Sequence, residues 1–166
     1  MKDEIRYKNT LNYRLNQSIF WEYANIVHTF ISDIVKIKAK YPNIKYLRFN
    51  ESGDIRGTND LSKMCFIARW LKELHIKVYT YTASKQLFPL NWFKLSNQLK
   101  QINKLSHNNL VINGSGFMLH NNYKVNNSNT ITSNNSIPIY KICCGSCVNC
   151  NYCKTATNSV INTKLR

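Results

Sequence analysis

A ladder of thiols near the carboxyl end constrains this chain more than any other feature. From Lys141 the sequence reads K-I-C-C-G-S-C-V-N-C-N-Y-C-K, so Cys144, Cys147, Cys150 and Cys153 stand three residues apart, with Cys143 as an alternate beside the first. Five of the six cysteines fall within the eleven residues 143–153. A C-x2-C turn brings two sulfurs onto one centre. Two such turns in tandem supply the four thiolates that a zinc ion or an iron–sulfur cluster takes. A disulfide knot fits less well, because cysteines three apart have awkward separations and Cβ directions and would clip only tiny loops. The opening M-K-D-E-I-R-Y-K also lacks the apolar core and small-residue cleavage site of a secretory signal. The expected location is therefore the cytoplasm.

Spacing leaves the inorganic centre open between the two. Zinc sites usually place about a dozen or more residues between their C-x2-C halves. The compact C-x2-C-x2-C-x2-C here is closer to the start of a bacterial ferredoxin run, in which the last spacing is longer and Pro follows; here Lys154 follows. This tilts toward iron–sulfur without excluding zinc. Cys65 lies on the apolar face of a helical pattern and reads as a buried thiol rather than a ligand.

Charge is distributed unevenly along the 166 residues, whose formal net charge is +15. All eight acidic residues lie between Asp3 and Glu73, and none follows, whereas ten Lys or Arg remain beyond residue 73. A positive field of this kind favours polyanions and points to nucleic acid as a partner. Part of the lysine excess matches compositional drift, since the chain is rich in the amino acids that A/T-rich codons encode. A hydrophobic content of 43% is enough for a core. No apolar run approaches the ~20 residues of a membrane span, so no membrane association is expected.

The hydrophobic pattern alternates between helix and strand. Residues 17 to 40 repeat apolar side chains at steps of three and four, and Tyr41-Pro42-Asn43 stops them. Ile44 to Phe49 reads as a strand. A helix follows, capped by Thr58 or Asn59, and then a second strand over residues 77–82. Further helical stretches over 84–87 and 92–104 precede a third strand at 110–113. A short final strand is expected over 138–142, and a short helix over 155–165. Helix–strand alternation implies parallel strands with crossover helices. The expected fold class is α/β: a partial barrel or small open parallel sheet with a C-terminal Cys-rich metal-binding segment. The expected units are an α/β half-barrel-like domain over 1–120, an Asn-rich loop over 121–136 and a Cys-rich tail over 137–166 packed on the same domain.

In parallel α/β folds ligands gather at the carboxyl ends of strands. Three strand ends are suggestive here. The first, F-N-E-S-G-D-I, offers Asn50 with the carboxylates Glu51 and Asp54 as candidate acid–base or ligand-orienting groups. The second, Y-T-Y-T-A-S-K, offers Tyr81, Thr82 and Ser84, and the third, V-I-N-G-S-G-F, offers Asn113 and Ser115 among glycines. The four histidines share no metal-ligand spacing; His120, beside the glycine loop, stands nearest a candidate site.

The runs L-R-F-N-E-S-G-D-I, K-V-Y-T-Y-T-A-S-K, I-N-G-S-G-F and C-C-G-S-C-V-N-C-N-Y-C-K, taken in order, resemble the gene-product-88 family of bacteriophage and mobile-element proteins. The resemblance covers about residues 3 to 154. It implies a radical-SAM-like partial barrel with a C-terminal thiolate site, working in a host-cell cytoplasm. Family members begin with a further Cys-rich segment ending in a C-Y-A-like turn, which this sequence lacks. The expectation is a shortened form, or one that has lost that site. Without a C-x3-C-x2-C loop, S-adenosylmethionine chemistry is not expected of this chain alone. Two functions follow as expectations: a phage-type metalloprotein holding an iron–sulfur cluster or zinc, or a zinc-stabilised basic module that binds nucleic acid without catalysis.

Overall fold

The computed structural model of the chain describes residues 15–16, 19–23, 26–50, 54–126, 140–143 and 150–164. Three helices, α1 (Ile26–Lys40), α2 (Thr58–Glu73) and α3 (Trp92–Leu105), pack against a sheet. Its six strands are β1 (Tyr46–Arg48), β2 (Lys77–Thr82), β3 (Leu110–Ser115), β4 (Asn121–Asn126), β5 (Tyr140–Ile142) and β6 (Val160–Lys164). Their spatial order is β1-β2-β3-β4-β6-β5, and every pair is parallel. The fold class is therefore α/β with an open parallel sheet.

One sheet face carries the helices. Leu47, Val78, Leu110 and Ile112 share that face by register and join the core with Met64, Ile67 and Leu71 of α2. Such burial is favourable by roughly 25 cal/mol per Å² of apolar surface. Ahead of α1, a helical turn over 19–22 carries Trp21, which is buried against Phe49 at 5.4 Å between ring centroids. The Trp21 indole donates to the Asn50 side-chain oxygen at 3.2 Å. Two of the helix starts are held differently. Asn91 caps α3 by accepting from the Lys94 amide at 3.2 Å. At α2 the capping residue is Gly57, not Thr58 or Asn59, and the Asp60 carboxylate in the first turn receives the Arg56 guanidinium.

Two elements differ from the sequence expectation. Residues 121–126, expected within an Asn-rich loop, form β4. Residues 160–164, expected to be helical, form β6, inserted between β4 and β5. Moreover, β3 and β4 are parallel although only residues 116–120 connect them, where a parallel pair ordinarily needs a crossover of about a dozen residues. The chain instead coils on itself. The His120 amide donates to Ile112 O at 3.2 Å, and the Gly116 amide to Tyr123 O at 2.9 Å. Glycine is required here twice. Gly116 has φ +85°, and a Cβ on Gly114 would lie 2.3 Å from Phe117 O.

Candidate functional site on the open face of the sheet

Side chains alternate across a strand, so the residues opposite the helices line a second face. Register places Arg48 beside Tyr79, Tyr81 beside Asn113, and Ser115 beside Tyr123 on that face. A cavity of about 290 Å³ opens there. Its sheet-side wall is Arg48, Tyr79, Tyr81, Ser115 and Tyr123, and its other wall is Cys143, Cys150, Cys153 and Lys154. Three thiols of the ladder thus open on one space. Cys143, directly after β5, and Cys150 both line it. Cys144 and Cys147 lie outside the described residues.

The Cys150–Lys154 stretch is tied to the sheet by two buried asparagines. Residues Tyr152–Lys154 form a 3-10 turn. The Asn113 amide group donates to Cys153 O and to Thr80 O, each at 3.0 Å. Its oxygen accepts from Asn121 Nδ2 at 2.9 Å. Asn121 also donates to Thr155 O at 2.8 Å, and its oxygen accepts from Thr157 N at 3.1 Å and Thr157 Oγ1 at 3.0 Å. Both residues are 0% exposed. Their amides replace the water that the backbone of the turn would otherwise need. Asn113, expected at a ligand loop, therefore has both amide protons committed within the protein.

The electrostatics of the cavity suit anionic sulfur. Arg48 sits with its guanidinium carbon 4.8 Å from the Tyr81 ring centroid, and the Lys154 ammonium lies 4.2 Å from that of Tyr46. The Tyr46 hydroxyl donates in turn to Asn151 Oδ1 at 3.1 Å. Burial, and then a hydrogen bond to Cys153, push the Tyr81 phenol far above its ordinary range. Tyr81 is thus a neutral donor to the Cys153 sulfur. Cysteine sulfurs beside two cations and a phenol are the soft donors that a zinc or iron–sulfur centre takes. Among the described residues, no three His, Cys, Asp or Glu side chains come close enough together to hold a metal ion.

The other expected site residues serve the strand ends. The Asp54 carboxylate accepts from Thr82 Oγ1, from Ala83 N at 2.7 Å and from Ile55 N at 2.7 Å. Ser84 Oγ donates to Ile55 O at 2.8 Å. Asp54, Thr82 and Ser84 together clasp the loop after β1 to the end of β2. Asn50 has left-handed backbone at φ 51°, and its buried Nδ2 has no partner among the described residues. Glu51 lies outside the described residues. Cys65 is buried on α2, and desolvation pushes its thiol up to about 11, which keeps it protonated and inert.

Of the expected residues, Tyr81, Ser115, Cys143, Cys150 and Cys153 come together at the cavity. Sequence reasoning passed over Tyr46, Tyr79, Tyr123 and Lys154. The alternation in K-V-Y-T-Y-T was the available signal, because it puts Tyr79 and Tyr81 on one face. Tyr123 gave none, being set among asparagines. No protein family, curated protein or solved structure matches this chain. Among the described residues no helix is long and apolar enough to cross a membrane.

Proposed function

We propose that this chain is a metalloprotein of the bacteriophage gene-product-88 type, whose C-terminal cysteines hold an iron–sulfur cluster or zinc against the open face of the parallel sheet. The observation that carries the reading is the shared cavity of Cys143, Cys150 and Cys153 beneath Arg48, Lys154 and the Tyr81 hydroxyl. Cys150 and Cys153 are the ligands that this cavity supports, and the three-residue ladder adds Cys144 and Cys147. When bound, a centre with four protein thiolates supplies structural crosslinking or, for a cluster, single-electron transfer, since no coordination position stays open for a substrate.

The chain's own residues have separable tasks. Arg48 and Lys154 offset the negative charge of the thiolates. Tyr81 donates to the Cys153 sulfur and fixes its orientation. Asn113 and Asn121 hold the backbone of the turn that carries Cys153.

The deciding measurement is elemental analysis with visible absorption on protein purified anaerobically from a reducing cytoplasm. Stoichiometric iron with broad thiolate-to-iron charge-transfer absorption assigns the cluster. A colourless protein with one zinc per chain assigns zinc. Protein with neither, or metal content unchanged by combined Cys150→Ser and Cys153→Ser, overturns the reading.

A further inference from the structure

The same cavity has features besides its sulfurs. Its sheet-side wall is aromatic: Tyr81 meets Tyr79 at 6.1 Å and Tyr123 at 5.1 Å between centroids, with interplanar angles of 77° and 72°. Edge-to-face rings turn some of their faces toward the space they enclose. Arg48 is exposed at its mouth, and among the described residues it makes no ion pair with a carboxylate. No carboxylate lines the cavity among the described residues, whereas Arg48 and Lys154 both do. Cationic ligands are repelled, whereas an anionic one gains the attraction of both side chains. A fork of N–H donors beside stacked rings is the arrangement that takes a planar ring carrying an anionic group. At about 290 Å³ the cavity sits at the small end of ligand sites, with room for one ring system and one phosphate.

We propose that the open-face cavity binds a single nucleotide unit, its base against Tyr81 and Tyr123 and its phosphate on Arg48 at the end of β1. The unit comes either from a free nucleoside monophosphate or from one position of a single strand, since base and phosphate are common to both. This inference concerns the cavity assigned above to the thiolate centre, yet it stands on the sheet-side residues and not on the metal.

Isothermal titration of the full chain at low salt, with its metal content measured alongside, tests it. The probes are adenosine 5′-monophosphate, adenosine, benzoate and a single-stranded DNA oligonucleotide. The monophosphate is expected to bind more tightly than adenosine, and benzoate much more weakly than either. Arg48→Met should weaken the monophosphate by about ten- to a hundred-fold, the worth of hydrogen bonds to a charged group, and leave adenosine unchanged. Arg48→Lys should fall between, and Tyr123→Leu should weaken both adenosine and its monophosphate. Far-ultraviolet circular dichroism melts confirm that each variant folds. An oligonucleotide that binds more tightly than the monophosphate, and loses affinity in the same proportion with Arg48→Met, assigns the nucleotide to a strand; weaker oligonucleotide binding assigns it to the free form. No heat with any nucleotide, equal binding of benzoate, or nucleotide affinity indifferent to Arg48→Met in a folded variant overturns the inference. Protein that carries no metal yet binds nucleotide separates the two readings, as does metal-loaded protein that binds none.

Discussion

His120 is a histidine whose two ring nitrogens are already spoken for. Nδ1 accepts from the Ile112 amide at 3.1 Å, which leaves Nε2 to donate to Asn103 Oδ1 at 3.0 Å. The Nδ1 bond requires the neutral ring, because a protonated Nδ1 cannot accept. Burial lowers its pKa from 6.5 to about 4. The sign of the linkage is that of a depressed folded-state pKa. Above pH 6.5 the ring is neutral folded or unfolded, and its full contribution is present. As pH falls from 6.5 toward 4 the unfolded chain takes a proton that the folded chain refuses, and stability is lost. The loss is on the order of 3 kcal/mol at 1.36 kcal/mol per unit. Urea unfolding of wild type and His120→Gln at pH 7, 5.5 and 4 checks this. The stability difference between the two should shrink by about that amount toward acid. Sequence position placed His120 beside a glycine loop, but nothing local said that its ring would continue the β3 ladder. The same holds for Asp54, whose neighbours Thr82 and Ala83 are supplied by another strand end.

The strands form where sequence chemistry asks for them, with two instructive exceptions. β1, β2 and β3 were legible because apolar and β-branched residues alternate or run together between turn residues. β4 was not, because N-N-Y-K-V-N has the composition of a loop, and its strand form depends on Asn121 finding partners in Asn113, Thr155 and Thr157. β6 was not, because its edge-like V-I-N-T-K becomes an interior strand only when β4 and β5 flank it. The coil between β3 and β4 also escaped, since parallel strands ordinarily announce a helix between them. Asn113 and Asn121 carry the link from these strands to the Cys turn. Asn121→Ala should destabilise the fold by about 2–4 kcal/mol, the cost of stranding buried backbone partners. Hydrogen exchange should rise in residues 150–157 before it rises in α2. Because the two amides share one bond, Asn113→Ala combined with Asn121→Ala should cost less than the sum of the single changes.

At the scale of the whole molecule, net charge rather than pairing sets the electrostatics. A charge of +15 on 166 residues repels itself, and among the described residues only Asp33–Lys36, Glu22–Arg56 and Asp60–Arg56 form ion pairs. Screening should therefore relieve more repulsion than it removes attraction. The melting temperature should rise by several degrees between about 20 mM and 500 mM NaCl, over which the Debye length falls from roughly 20 Å to about 4 Å. A fall would mean that attraction prevails. The α/β class was legible at this scale from alternation alone, and the thiol ladder pointed to the segment that meets the sheet. The open face could not be seen, because the residues that build it are spread from Tyr46 to Lys154 and only strand register gathers them.

The insertion of residues 160–164 between β4 and β5 makes one strand the sole bridge to the sheet's far edge. Among the described residues β5 pairs with β6 and with no other strand, so Tyr140–Ile142 joins the sheet only through Val160–Lys164. Removing that last strand should therefore detach β5, and with it the backbone that leads into Cys143, from the wall that carries Tyr81 and Tyr123.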